Sequence, residues 1–277
     1  RSLDLLGREE YCIFNQISPN EIRQGLIPNS YLLCAFSILA EQPGLVRRLF
    51  SVPDPNEQGV YGIWLCTNGI WKETLVDDYI PVVNVGAGVE FAFSRSSQDE
   101  LWVSLLEKAY AKVHGGYTNI IEGDCITALR ALTGSPFKEV SNLQNSDLVW
   151  KSIMEGEQRG SVMCCRARNS TPYGNVQAGQ CYAILGLGIV TNQQGQRERL
   201  VKVRLPWGGG KLEGKWSDSD PNWTAQNIDA MDYVFSKDGA QCLSLQDFAQ
   251  LFDALYIFKT EPVFRNTAIT IEGGEEG

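Results

Sequence analysis

Apolar residues along this chain follow a helical period in its first half and a strand-like one in its second. After a mixed, loop-like stretch over 1–29, Pro28-Asn29-Ser30 introduces a helix in which Leu32, Phe36 and Leu39 recur at i, i+4 and i+7. Ser30 is expected to be its N-cap, because a hydroxyl there can accept a free N–H of the first turn, and Pro43 marks its end. Val60–Cys66 and Ile70–Val76 read as strands joined through Thr67-Asn68-Gly69, since Asn-Gly tolerates the positive φ of a tight hairpin. A second helix is predicted from Gln98 to Val113. Its apolar face is Trp102, Leu105, Leu106 and Ala109; Asp99 and Glu100 fill its first turn, Lys108 and Lys112 its last two, and Gly115 follows it.

Further on, Gln180–Val190 and Arg199–Leu205 read as strands around a polar, Gly-containing turn at 192–196. Val201, Val203 and Leu205 share one face of the second of these, Lys202 and Arg204 the other. Leu255–Phe258 reads as a closing strand. The pattern predicts an α+β protein with a helix-rich N-terminal lobe, residues 1–123, and a β-rich C-terminal lobe, residues 124–277, meeting near Gly123.

Charge narrows the choice of partners. With 24 Lys and Arg against 33 Asp and Glu, the net charge is -9, and no basic run of five or more offers a surface for nucleic acid. No apolar run reaches membrane-spanning length and no signal-peptide pattern opens the chain. The start at Arg1 without Met, and the Glu-Gly end, read as a segment of a longer protein. Cys12, Cys34, Cys66, Cys125, Cys164, Cys165, Cys181 and Cys242 are scattered through apolar segments without zinc-like spacing, as in a cytosolic protein with reduced, buried thiols.

Three segments then carry a family signature. Gln24-Gly25-Leu26-Ile27-Pro28-Asn29-Ser30-Tyr31-Leu32-Leu33 resembles the calpain nucleophile motif Q-G-x-L-G-D-C-W-L-L. Glu100-Leu101-Trp102, followed by Leu105-Leu106-Glu107-Lys108-Ala109-Tyr110-Ala111-Lys112, resembles the calpain E-F-W…L-L-E-K-A-Y-A-K helix. Arg204-Leu205-Pro206-Trp207-Gly208, with Trp216-Ser217-Asp218 beyond, resembles R-N-P-W-G…W-S-D. The resemblance to calpain-type cysteine proteases spans essentially the whole chain and implies a papain-like two-lobed fold. Its degenerate catalytic positions look most like the calpain-like, cytoskeleton-associated proteins of kinetoplastids.

Cysteine-protease chemistry needs a thiolate nucleophile, an imidazole that takes and returns its proton, and a group that orients the imidazole. Matched to the family, those positions hold Ser30, Gln180 in Gly179-Gln180-Cys181-Tyr182, and Leu205 before Pro206-Trp207-Gly208. An unassisted hydroxyl is inert, an amide takes no proton near neutrality, and leucine offers no acceptor. Gln24 matches the oxyanion-hole glutamine and Trp207 the cleft tryptophan. His114 is the only histidine and closes the Gln98–Val113 helix, where it reads as a helix-end cation. Cys34, one turn beyond Ser30, reads as a buried thiol, and Cys181 points away from Gln180 by strand alternation.

The resemblance also implies calcium sites, which need six to eight oxygens, several of them charged. Glu21 and Glu100 match acidic positions of the first site, so weak binding there stays open. Asp218 and Asp238 match the second, where Lys211 and Ala240 replace two acids and should abolish it. The expectation is a catalytically inactive, cytoplasmic, calpain-like module without a cofactor beyond one possible calcium. It would bind a protein partner, a cytoskeletal one by analogy. An active hydrolase using an unrecognised dyad and a non-catalytic calcium-responsive domain are the alternatives.

Overall fold

The computed structural model describes residues 12–260 apart from 87, 171–175, 205, 207–214 and 236–237. Helices and strands are mixed throughout, and the two larger of three hydrophobic clusters among the described residues lie on opposite faces of one sheet. The first core is built on helix α1, Ser30–Ala40, which is buried from Leu32 to Ala40. The short α2, Pro43–Arg47, follows it. A two-residue strand β1, Ile22–Arg23, lies upstream of α1.

The hairpin appears where Asn-Gly predicts it. β2, Val60–Thr67, pairs antiparallel with β3, Ile70–Asp77, and Asn68 and Gly69 turn the chain at φ of 52° and 78°. Two small ladders follow: β4, Val82–Asn84, pairs with β5, Val89–Phe91, and β6, Arg95–Ser96, pairs with β1.

The next helix starts later than its sequence pattern predicts. α3 runs Trp102–Val113, so Asp99 and Glu100 lie ahead of it, not in its first turn. Tertiary pairing holds this stretch out of the helix. Cys12 N donates to Asp99 O at 3.3 Å and Leu101 N to Cys12 O at 3.0 Å, and the Glu100 side chain is drawn into a buried cluster. At the other end Gly115, with φ of 88°, closes the helix as expected.

Just beyond Gly123, α4, Cys125–Thr133, packs on α1 and β2 within the first core. Asp124 caps it, accepting Thr127 N at 2.7 Å.

The large sheet contains six antiparallel strands in the order β11-β10-β9-β8-β12-β7. They are β7, Phe137–Val140; β8, Val162–Ala167; β9, Cys181–Thr191; β10, Arg197–Arg204; β11, Ala240–Ser244; and β12, Phe252–Phe258. Between them come α5, Ser146–Gln158; α6, Ala225–Ala230; and α7, Leu245–Leu251. The strand-like stretches near 180–205 and 255–258 thus fall in one sheet.

Alternation assigns each strand residue to a core. Cys164, Cys181, Ala183, Ala254, Tyr256 and Phe258 face the first. Met163, Cys165, Tyr182, Ile184, Leu255 and Ile257 face the second, which residues of α5 and α7 complete. In β10, Val201 and Val203 are fully buried while Lys202 and Arg204 are only partly so, as the sequence alternation predicts.

Candidate functional site

Ser30 is the first residue of α1, but Asn29 stands at the N-cap. The Asn29 carbonyl accepts Leu32 N at 2.9 Å. Its side chain caps nothing, because Nδ2 donates to Glu107 Oε1 at 2.6 Å. The expected N-cap role of Ser30 is corrected accordingly: the helix begins one residue earlier than a serine cap would allow. Ser30 is half-buried, and its hydroxyl has no hydrogen-bond partner among the described residues.

Gln180 lies in the turn immediately ahead of β9, after Gly179 at φ of 71°. Its carbonyl accepts Ala167 N at 2.9 Å, while its Nε2 is buried without a hydrogen-bond partner. One contact ties this turn to α1. Cys34, one turn beyond Ser30, donates from Sγ to the Cys181 carbonyl at 2.8 Å. The helix bearing Ser30 is thus packed against the strand end that follows Gln180.

Gln24 is exposed and donates from Nε2 to Ile27 O at 3.0 Å, which braces the loop before α1. Leu205, Trp207 and Lys211 lie outside the described residues.

The surrounding groups supply little proton chemistry. Burial pushes the Cys34 thiol up, away from the thiolate that a nucleophile needs. His114 sits at the C-cap of α3, where Nδ1 lies 2.8 Å from Tyr110 O and the ring stacks on Tyr110 at 4.2 Å between centroids. That is the helix-end placement its sequence position predicts.

Two buried polar clusters near this region were not read from the sequence. Glu107, fully buried in α3, accepts Asn29 Nδ2 through Oε1 and Ser94 N through Oε2 at 2.9 Å. Burial nevertheless raises its pKa above the ordinary value, since the two bonds offset desolvation only in part. Arg204, at the end of β10, reaches Glu41 Oε1 with Nε at 2.5 Å and Asp238 Oδ2 with NH1 at 2.7 Å. Because Glu41 is the C-cap of α1, this triad ties the first core to the sheet. The usable signal for Glu107 was its setting: a carboxylate in a helix buried over most of its circumference requires partners.

The sequence profile described as calpain family cysteine protease matches residues 1–259. The chain belongs to the calpain family. It is 31% identical over 265 residues to the calpain-type cysteine protease DEK1 of Zea mays, a match covering 91% of this chain and 12% of that protein. It is 30% identical over 279 residues to the calpain-1 catalytic subunit of Mus musculus, covering 95% of this chain and 38% of that one. With calpain-B of Drosophila melanogaster the identity is 28% over 261 residues, covering 87% and 28% respectively. The chain therefore spans well under half the length of these calpains.

The acidic positions matched to the calpain calcium sites are already occupied by protein donors. Glu100 is buried, with Oε1 accepting Asn15 N at 2.5 Å and Oε2 accepting Ser96 Oγ at 3.1 Å and Trp102 Nε1 at 3.2 Å. One donor on Oε1 and two on Oε2 thus compete with any cation for this carboxylate. Glu21, which ends a 3₁₀ turn at Pro19–Glu21, accepts Ser97 Oγ, and Gln98 Nε2 at 3.4 Å. At the second position, Asp218 Oδ1 accepts the Tyr233 hydroxyl at 2.7 Å and Asp238 is paired with Arg204. Ala240 begins β11 and adds no side-chain oxygen. Among the described residues, no group of three or more His, Cys, Asp or Glu side chains is arranged to hold a metal ion.

Proposed function

We propose that this calpain-family domain is catalytically inactive and acts as a protein-interaction or structural module. One observation carries the reading. Ser30 begins α1 with a hydroxyl that no base among the described residues engages, while the only histidine in the chain is held at the far end of α3. Gln180 cannot replace an imidazole, because its amide carries protons that it does not exchange with a nucleophile near neutral pH.

In this reading residues 1–123 and 124–277 are the two lobes of a papain-like fold, and the former substrate cleft opens between Ser30 and the turn at Gln180. The triad loss resembles that of kinetoplastid calpain-like proteins, which favours a protein partner, cytoskeletal in kind, and a cytoplasmic address. No helix among the described residues is long and apolar enough to cross a membrane. Calcium is not assigned a role, because three protein donors already engage the Glu100 oxygens.

The reading is tested in two arms. Incubation with casein and a peptide library, with and without millimolar Ca²⁺, should show no turnover above a Ser30→Ala control. Affinity capture with the native domain and with a Ser30→Trp, Gln180→Ala variant should show whether partners engage the cleft. Turnover that Ser30→Ala removes would overturn the assignment.

A further inference from the structure

A recess on the far side of the sheet from α1 is left unused by this functional reading. It lies where α5 meets β7, β12 and the start of β8, and it opens to solvent with a volume of about 310 Å³. Register assigns its strand residues to one face. Lys138 of β7 stands opposite Ile257 of β12, and Ile257 opposite Met163 of β8. Lys259, two positions beyond Ile257, and Ser161, two before Met163, fall on that same face by alternation. Pairing continues past β12, with Lys259 N donating to Pro136 O at 3.0 Å. Ile257 and Met163 belong to the second core, so the recess opens at the edge of that core.

Three cations border it: Lys138, Lys259 and, at the C-cap of α5, Arg159. Ser152, only 2% exposed, accepts Lys138 Nζ on its Oγ at 3.1 Å and so holds that ammonium at the recess. Ser161 lines the same space. It is 5% exposed, and its hydroxyl has no hydrogen-bond partner among the described residues. A buried hydroxyl without a partner costs stability, and a ligand that supplies an acceptor would offset that cost. Gly156 and Ile257 give the recess an apolar floor. A Cβ at Gly156 would lie 2.5 Å from Met163 Sδ, so glycine is what lets α5 approach the strands this closely.

We propose that this recess binds the phosphate of a phosphorylated serine or threonine side chain on a partner protein. Near neutral pH such a phosphate carries close to two negative charges and three strong acceptor oxygens, which match the three cations and the Ser161 hydroxyl. Arg159 can offer two parallel N–H groups to a pair of phosphate oxygens, and each ammonium a compact point charge. The apolar floor suits the methylene or methyl of a phosphorylated side chain, which inorganic phosphate lacks. Two features oppose an anion. Glu155 lines the recess, and the C-terminal end of α5 carries roughly half a negative charge. Three cations outweigh both, the more so because Glu155 is paired with Lys151 at 3.8 Å.

The setting favours a protein over a lipid surface. Glu139 follows Lys138 and Glu157 precedes Arg159 by two positions, and both acids are exposed. With a net charge of -9, the chain as a whole is repelled by an anionic bilayer. A recess admits one phosphate without bringing the acidic surface around it against a membrane. The site is also separate from Ser30, which lies on a helix of the first core, whereas the recess borders the second. It therefore stands independently of what Ser30 can or cannot catalyse.

The experiment titrates the native, isotopically labelled chain with N-acetyl phosphoserine methylamide at neutral pH and follows amide chemical shifts. Saturating shifts at Arg159, Ser161 and Lys259 are expected, with no response to the unphosphorylated serine compound. Lys138→Met combined with Lys259→Met should weaken binding roughly tenfold or more. Ser161→Ala should weaken it as well without lowering Tm, because that hydroxyl has no partner among the described residues. The shifts of the unaltered chain are decisive even if a variant folds poorly. Equal binding of the unphosphorylated compound, or shifts confined to other residues, would overturn the proposal. Inorganic phosphate binding as tightly as the phosphoserine compound would overturn it too, making the site one for a free ion. Co-sedimentation with phosphatidylserine vesicles that the double Lys variant loses, without any phosphoserine response, would replace the protein partner with a membrane.

Discussion

Asn29 Nδ2 donates to Glu107 Oε1 at 2.6 Å, so the residue before Ser30 hangs from the middle of α3. With Ser94 N on its other oxygen, one buried carboxylate sets both the start of α1 and the chain ahead of α3. The position matched to the calpain nucleophile is thus held in place by a carboxylate distant from it in sequence.

Glu107→Ala should destabilise the fold by about 1–3 kcal/mol, because it strands the Ser94 N–H and the Asn29 amide without an acceptor. Urea unfolding at neutral pH measures this. The pH dependence has a defined sign. The folded-state pKa of Glu107 is raised above the ordinary 4.5, chiefly by burial. Between those values the fold binds more protons than the unfolded chain. Its contribution is therefore fully present below the ordinary value and is lost as pH rises through the raised one. Non-titrating Glu107→Gln should remove that decline.

Ser30→Cys alone should create no peptidase, since Gln180 provides no base for the new thiol. Loss of nucleophile and base chemistry together removes roughly 10⁶-fold in turnover. Restoring Cys at Ser30, His at Gln180 and Asn at Leu205 is the comparison, assayed on casein. Strong activity from the single change would mean that another group accepts the proton.

Arg204→Met should loosen the attachment of the first core to the sheet. It leaves Glu41 and Asp238, which are only 20% and 29% exposed, without their shared cation. Removing one partner of a fully buried pair costs about 3–5 kcal/mol; partial exposure places this one at or below the lower end. Double-mutant cycles with Glu41→Gln should show coupling between the two sites.

Glu100→Gln separates a structural carboxylate from a calcium ligand. It should lower Tm equally with and without millimolar Ca²⁺, because the bonds from Asn15, Ser96 and Trp102 exist without the ion. Titration calorimetry of the unaltered chain should show no saturating heat that this variant abolishes. A Tm difference that appears only with Ca²⁺ would restore the calcium-responsive alternative.

The hairpin at Asn68-Gly69, the stripe of α1 and the alternation of β10 could all be read from local pattern. Local pattern failed at 98–101, where pairing with the segment near Cys12 overrides the helical propensity of Gln98-Asp99-Glu100. It failed at Ser30, where the helix starts one residue early and Glu107, distant in sequence, holds the side chain of the Asn29 cap. Arg204 and Glu41 are separated by 163 positions, and no periodicity links residues so far apart. The thiols were visible as residue types, but only folding shows that four of them face one core.

The sheet that divides the two cores also binds their fates together. β8, β9 and β12 give alternate side chains to each side, so neither core can lose its packing while the other keeps an intact wall. Melting should therefore run as one cooperative event across the described region. Forces transmitted through a bound partner would be carried by strands that both cores share.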